Sequence, residues 1–77
     1  DLPFQLYPNP AGAEFFIATD YTGQFSYSIY DLTGRALQSG TCDGQNTRID
    51  TRFIPAGMYV VHLVSKDGGN SRIMMIR

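Results

Sequence analysis

One stretch decides the fold of this chain: Gln24-Phe25-Ser26-Tyr27-Ser28-Ile29-Tyr30-Asp31-Leu32-Thr33-Gly34-Arg35. Its large apolar side chains, Phe25, Tyr27 and Ile29, alternate with serines, and alternation with period two predicts a strand with one buried face. The next residues predict a tight turn, because Asp31 can bond the backbone two residues on and Gly34 tolerates any φ. A strand that runs into such a reversal is half of a β-hairpin, and the rest of the chain repeats this pattern.

The size and charge of the chain limit what it can be. Its 77 residues make one domain, and 43% hydrophobic residues supply one thin core. So short a chain buries only about 60% of its unfolded surface. The net charge is −1 and the basic residues are scattered, which argues against a nucleic-acid or anionic-membrane partner. No apolar run approaches the roughly 20 residues that a membrane span needs.

Turn signals recur along the chain at intervals typical of short-stranded β-folds. They stand at residues 9–12, 20–23, 31–34, 43–44, 55–57 and 67–70. The candidate strands between them are residues 4–7, 14–19, 24–30, 35–42, 45–51, 58–65 and 71–77. No segment has a sustained helical apolar period, so we predict essentially no helix. The pattern predicts an all-β fold, an immunoglobulin-like β-sandwich of about seven antiparallel strands of Greek-key type.

Inward positions follow from the alternation within each strand. Phe15 and Ile17 are expected in the core, which leaves Phe16 facing outward. Leu37 is the clearest inward residue of a weakly patterned strand. After that strand, Asp43-Gly44 is a two-residue hairpin signal, since a type I′ turn needs positive φ at both positions.

The last two strands are apolar on both faces. In the first of them one face carries Tyr59, Val61 and Leu63, and the other carries Met58, Val60, His62 and Val64. In the second, Ile73 and Met75 oppose Met74 and Ile76. Such strands are either covered by loops or an upstream domain, or they present apolar surface to a partner. Self-association as a homodimer is suggested by residues expected to face outward, namely Met58, Val60, Val64 and Met74.

Residues that carry catalysis or bind metals are scarce. His62 is the only histidine and lies in mid-strand, where a solvent-facing or hydrogen-bonded role is the more frequent one. Cys42 is the only cysteine, so the chain forms no internal disulfide, and we interpret it as a small buried hydrophobe. Asp67-Gly68-Gly69-Asn70 lacks the alternating acidic ligands of a calcium loop and is interpreted as a turn. We therefore expect no catalytic residue, metal, cofactor or enzyme activity.

Aromatic residues suggest an alternative function, because exposed rings on a sandwich can stack on sugars. Most fall at expected core positions, and the candidates for exposure are Tyr7, Phe16, Tyr21 and Tyr30. The sequence does not show whether they share a face. An adhesive or carbohydrate-binding sandwich of a secreted hydrolase stays open as an alternative, as does a structural domain that stabilises an upstream neighbour.

Four blocks of this sequence resemble, in order, the type A C-terminal sorting domain of the type IX (Por) secretion system. They are Leu6-Tyr7-Pro8-Asn9-Pro10-Ala11, Ile29-Tyr30-Asp31-Leu32-Thr33-Gly34-Arg35, Ile54-Pro55-Ala56-Gly57-Met58-Tyr59-Val60-Val61 and Arg72-Ile73-Met74-Met75-Ile76-Arg77. Each block alone is common, but four in register across nearly the whole chain are specific. The chain departs from the family pattern at Arg72, Arg77 and His62, which stand where lysine is common.

The resemblance implies that residues 1–77 are the C-terminal sorting domain of a larger secreted protein, non-catalytic and immunoglobulin-like. Its implied partners are outer-membrane type IX translocation components, a sortase-like cell-surface peptidase that cleaves the domain off, and the fused upstream cargo. The implied location is the periplasm in transit, then the cell surface or extracellular space. The start at Asp1-Leu2-Pro3, without Met or signal peptide, indicates a fragment of a longer protein, and the end at Arg77 is expected to be natural.

The resemblance also suggests which residues the translocation components contact. They are Pro8, Asn9, Pro10, Arg35, Arg72, Ile73, Met74, Met75, Ile76 and Arg77. The terminal strand is expected to be an edge strand that pairs with a partner through backbone hydrogen bonds. Roles in turns and core are predicted for Asp31, Gly34, Gly57 and Tyr59. A structural role for residues 8–10, as a rigid entry to the first hairpin, stays open.

Overall fold

The structure, a computed structural model, describes residues 4–9 and 11–77. The strands are β1 (Gln5–Tyr7), β2 (Glu14–Ala18), β3 (Gln24–Tyr30), β4 (Ala36–Asp43), β5 (Asn46–Asp50), β6 (Gly57–Ser65) and β7 (Gly68–Ile76). Each lies on a predicted strand, although β7 begins earlier than expected because Gly68 already pairs with Ser65 across a tight turn. The described residues contain no helix, and hence none long and apolar enough to cross a membrane.

The strands form two antiparallel sheets. One has the order β1-β2-β5 and the other β4-β3-β6-β7. Both contribute to a single cluster of buried apolar side chains, so the prediction of an all-β, two-sheet fold is confirmed. In constant-type immunoglobulin domains the fourth strand joins the sheet of the first, whereas here β4 pairs with β3. The Greek-key connection stays a prediction.

Alternate residues of the strands fill the space between the sheets. The buried apolar residues are Phe4, Ala11, Phe15, Ile17, Phe25, Tyr27, Ile29, Cys42, Ile49, Ile54, Tyr59, Val61, Leu63, Met74 and Ile76. Phe15 and Ile17 are fully buried, while Phe16 between them faces outward and stacks on Tyr7. The alternation in β2 and β3 therefore predicted the core residues of both strands correctly.

The expectation of a hairpin at Asp43-Gly44 is wrong. β4 pairs with β3, whereas β5 pairs with β2 in the other sheet, so the link crosses between sheets. Gly44 does have a positive φ of 111°. The next residue already bonds to the three-stranded sheet, where the Thr19 N–H donates to the Gln45 carbonyl at 3.0 Å. The turn signal thus predicted the conformation of Gly44 but not the partner of the following strand.

The inner face of β4 carries the buried Cys42 and a glycine, Gly40, while Leu37 packs against the margin of the core. Leu37 is half-buried at the edge of the core, where the pairing of β3 with β4 shifts register between Ile29 and Tyr30. Such a bulge re-aims side chains. Further along the strand, Gly40 lies opposite Tyr27, and a Cβ there would stand 2.9 Å from a carbon of the tyrosine ring. The Tyr27 ring therefore occupies the space that a side chain at position 40 would need.

The turn after β3 forms as predicted. The Asp31 N–H donates to the Arg35 carbonyl, the Gly34 N–H donates to the Asp31 carbonyl, and Gly34 adopts a φ of 93°. The Asp31 carboxylate accepts hydrogen bonds from the Thr33 hydroxyl at 2.6 Å and from the Thr33 and Arg35 amides at 3.0 Å. These bonds, the Thr33 hydroxyl first, lower the pKa of Asp31 because they favour its charged form.

A second carboxylate, Asp50 at the end of β5, is held by Arg52. The Arg52 guanidinium lies 2.8 Å from the carboxylate, and the Arg52 amide donates to it at 3.0 Å. These bonds, the side-chain one first, lower the pKa of Asp50 from 3.8 to about 2. The lowered pKa stabilises the folded state above pH 3.8, and that contribution is lost as the pH falls toward 2.

We expect the substitution R52A to raise the pKa of Asp50 from about 2 toward 3.8, because it removes the main bond to the charged carboxylate. An NMR titration of the Asp50 carboxyl carbon measures the change. The control is R48A, since Arg48 acts on Asp50 only through a weaker charge interaction. An Asp50 pKa that is the same in R52A and in the unchanged chain contradicts this assignment.

Candidate recognition surface

The terminal strand β7 divides its side chains between the core and the solvent. Met74 and Ile76 are 0% and 4% exposed, whereas Ile73 and Met75 are 56% and 43% exposed. The expectation that Met74 faces outward is therefore wrong, because residues of one strand alternate between faces and Met74 lies on the inner one. The side chains of Met74 and Ile76 pack in the core rather than offering surface to a partner.

The exposed residues of β7 continue into a patch on the outer face of the four-stranded sheet. Met75 lies opposite Met58, and Ile73 lies opposite Val60, which in turn lies opposite Tyr30. We call these five residues the outer patch. Of the residues that the sequence predicted to face outward, Met58 and Val60 lie in this patch, and Tyr30 and Val60 are half-buried within it. Single exposed apolar residues are common on proteins, whereas a contiguous group of them is a candidate interaction surface.

A polar row separates the outer patch from Val64 further along the same face. In that row His62 lies opposite Ser71, and its Nδ1 is 2.6 Å from the serine hydroxyl. Val64 itself is 43% exposed and lies opposite Gly69. Val64 is therefore as exposed as Met58 but stands apart from the patch.

β7 is the edge strand of its sheet, as predicted, but its backbone edge from Ile73 to Arg77 is covered rather than open. The Asn9 side chain bonds the Ile73 carbonyl and the Met75 amide. The Ala11 backbone bonds the Met75 carbonyl and the Arg77 amide. The outward backbone groups from the Ile73 carbonyl to the Arg77 amide are therefore occupied by the N-terminal segment.

The predicted basic contacts differ in how much they are engaged. Arg72 donates from Nε to the Phe4 carbonyl at 3.3 Å, and its guanidinium lies 5.4 Å from the centre of the Phe4 ring. Arg35 pairs with Asp31 at 3.3 Å but keeps 75% of its side chain exposed. The side chain of Arg77 is exposed. Arg72 thus ties the two ends of the domain together, while Arg35 and Arg77 present charge to solvent.

The proline block of the N-terminal segment is partly described. Pro8 is exposed and follows a cis peptide bond from Tyr7. Pro10, which was predicted as a contact residue, lies outside the described residues. Asn9 is exposed to one side and bonded to β7 on the other.

The predicted core role of Tyr59 agrees with its packing. The Tyr59 ring is buried, and its hydroxyl donates to the Pro55 carbonyl four residues upstream. A tyrosine that bonds back to the upstream backbone is a known brace in sandwich folds. Gly57 begins β6 beside this ring, with the tyrosine oxygen 3.5 Å from where its Cβ would stand.

The aromatic residues do not form one sugar-stacking face. Tyr7 and Phe16 stack on each other at 5.3 Å, on the outer face of the three-stranded sheet. Tyr30 lies on the outer face of the other sheet. Tyr21 packs edge-on against Phe25 and donates its hydroxyl to Asp67. Each of the outer faces therefore offers at most a local aromatic contact.

The described residues hold no group of three or more His, Cys, Asp or Glu that could bind a metal ion. Cys42 is buried, as expected, and burial raises the pKa of its thiol despite the neighbouring Thr47 hydroxyl. A thiol with a raised pKa is a poor nucleophile at neutral pH. We find no assembled catalytic centre in this part of the chain.

Two polar residues have structural roles that the sequence did not specify. Thr51 is 1% exposed, and its hydroxyl donates to the Gly12 carbonyl at 2.8 Å while its amide donates to the Ala13 carbonyl at 2.9 Å. Asn9 was predicted as a contact residue, but its bonds to β7 join residues 64 and 66 positions apart. Only the pairing of distant segments creates these contacts.

The described residues form a small two-sheet β-module that carries an apolar patch on one outer face. The sequence model of the Secretion system C-terminal sorting domain family matches residues 5–77, and the chain belongs to that family. No curated protein matches the chain. A domain of this family is a C-terminal sorting signal of type IX secretion, which implies interaction with that machinery, a fused cargo and export.

Proposed function

We propose that residues 1–77 are a non-catalytic sorting signal at the C-terminus of a larger protein. Outer-membrane type IX components recognise it in the periplasm and carry its cargo to the cell surface or beyond. The family match supports the sorting role. The observation that carries the recognition step is the outer patch, which places two side chains of the terminal strand in solvent on a folded domain.

While the β7 edge is closed by the N-terminal segment, the proposed recognition contacts of the folded domain are side chains. Ile73 and Met75 supply exposed apolar area at the centre of the patch, and a few side chains that bury fully against a partner carry most of the binding energy of an interface. Arg77 and Arg35 supply exposed charge at one end of the four-stranded sheet, where β3 and β7 both end. Arg72, by contrast, acts mainly by holding Phe4.

We further propose that a sortase-like cell-surface peptidase removes the domain after export, at or before its first residues. Much of the domain's backbone is paired in strands, which makes its body a poorer protease substrate than an unpaired segment. Proteolysis concentrates in exposed, unpaired segments. Mass spectrometry of the exported cargo tests this step: the cargo should be lighter than the full protein by about the 8.6 kDa of the domain.

Site-specific photo-crosslinking tests the recognition step. A photoreactive amino acid replaces Ile73 in one protein and Val64 in another, and each is expressed with a cargo in a type IX-competent strain. We expect an outer-membrane type IX component to be captured from position 73 and not from position 64. Capture from both positions, or from neither, contradicts the proposed contact. Capture of a second copy of the chain from position 73 supports a homodimer instead.

A further inference from the structure

The Asn9 side chain imitates a peptide group at the edge of β7. Its Nδ2 donates to the Ile73 carbonyl at 3.2 Å, and its Oδ1 accepts from the Met75 amide at 3.1 Å. A carboxamide carries the same C=O and N–H groups as the backbone. The two bonds therefore match those that a strand residue opposite Met74 would make from its backbone.

The backbone of Ala11 continues the same pattern. Its N–H donates to the Met75 carbonyl at 2.7 Å, and its carbonyl accepts from the Arg77 amide at 3.0 Å. These two bonds make a parallel bridge between Ala11 and Ile76. Asn9 and Ala11 together cover the edge as a short parallel strand would, one with its side chain and the other with its backbone. We call this pair the clasp.

We propose that the β7 edge from Ile73 to Arg77 is a strand-pairing site that the clasp closes, and that its ligand is an extended peptide laid parallel to β7. The bonds that the clasp makes to this edge show that a parallel strand fits it. An exposed sheet edge binds extended chains through backbone bonds, and side-chain pockets select among them. That this strand-pairing site is used during export rests on the proposed function, whereas the closure of the edge by the clasp is independent of it.

The surroundings of the edge indicate the chemistry of that peptide and how the clasp can open. Ile73 and Met75 flank the edge with exposed apolar side chains, which favours an uncharged strand with apolar residues. Residues 12–13, which follow the clasp, are exposed, and their carbonyls are anchored by Thr51, so an opening clasp would pivot about this point. Only the methyl group of Ala11 is buried with the clasp, so the clasp can leave without removing a large side chain from the core.

Hydrogen exchange measured residue by residue tests the closure. In the unchanged chain the Met75 amide is protected through Asn9, and in N9A we expect its exchange to accelerate about tenfold or more. N9D keeps the acceptor but loses the donor to the Ile73 carbonyl, so it should retain part of the protection. The control is N46A, which removes another exposed asparagine that accepts from the Tyr7 hydroxyl. Equal Met75 exchange in N9A and N46A overturns the proposal.

A labelled peptide with the sequence of residues 4–13 tests pairing in trans. We expect fluorescence anisotropy to show that the peptide binds the N9A domain and not the unchanged domain. A peptide that itself carries N9A should bind neither. If Met75 exchange accelerates in N9A but the peptide does not bind, the strand-pairing site is overturned. Both measurements use the purified chain. If they give the expected results but the chain fails to direct export in cells, that failure counts against the proposed function alone.

Discussion

Replacing Phe15 with alanine is expected to remove most of the stability of this domain. Phe15 is fully buried in β2 opposite Ile49, and a buried Phe→Ala change costs about 3–5 kcal/mol in lost burial and in the cavity it leaves. A domain of this size has a free energy of unfolding near the low end of about 5–15 kcal/mol. Urea unfolding followed by circular dichroism measures the difference.

The matched control for this change is F53A. Phe53 is 90% exposed, and its nearest specific contact is the Arg52 guanidinium at 5.8 Å from the ring centre. A surface change of this kind alters stability by about 0.5–1 kcal/mol at most. If F15A and F53A unfold at similar urea concentrations, Phe15 is not the core residue that the structure describes.

The double substitution I73D/M75D is expected to lower surface delivery of the cargo by about tenfold or more, because it places two charges where an apolar partner surface must pack. Both side chains face solvent, so the fold should persist. Delivery is measured as the fraction of a fused reporter that is accessible at the cell surface, and the unfolding of the purified domain is measured in parallel.

The control carries the same two charges at the other end of the same face. Val64 and Thr41 are exposed and both flank Ser26 in the sheet, outside the outer patch. We expect V64D/T41D to be exported nearly as well as the unchanged domain. If both double variants lose delivery to the same extent, total charge rather than the patch governs export.

These point substitutions separate recognition from folding in a way that truncation does not. Deleting residues 73–77 would remove Met74 and Ile76 from the core together with the exposed residues. The lost burial alone would destabilise the domain by several kcal/mol, on the order of 2–5 for a methionine in a core. Failure to export a truncated domain would therefore not identify the contact.

Alternation with period two was sufficient to predict the strands and most of the core. It works in β2 and β3 because one face of each strand is buried and the other is not, so Phe15 and Tyr27 stand out from their neighbours. It also predicted that the last two strands are apolar on both faces. It failed to choose between those faces in β7, where Met74 and Met75 look alike in sequence but only Met74 is buried.

What the sequence did not predict depends on contacts between distant segments. The strand after Gly44 joins the sheet of β2 because of pairing with residues far back in the chain, which a local turn signal does not encode. The clasp requires Asn9 to meet a strand more than sixty positions away. The Asn9 motif was predicted to matter, but a contact with the translocation machinery and a bond to β7 give the same sequence signal.

The central claim is that this folded module by itself directs export. The direct measurement is the surface-accessible fraction of a reporter that carries an N-terminal signal peptide and residues 1–77, compared between a type IX-competent strain and one that lacks the translocation machinery. We predict surface reporter in the competent strain and periplasmic reporter in the other. Reporter retained in the periplasm of both strains, or displayed equally by both, contradicts the claim.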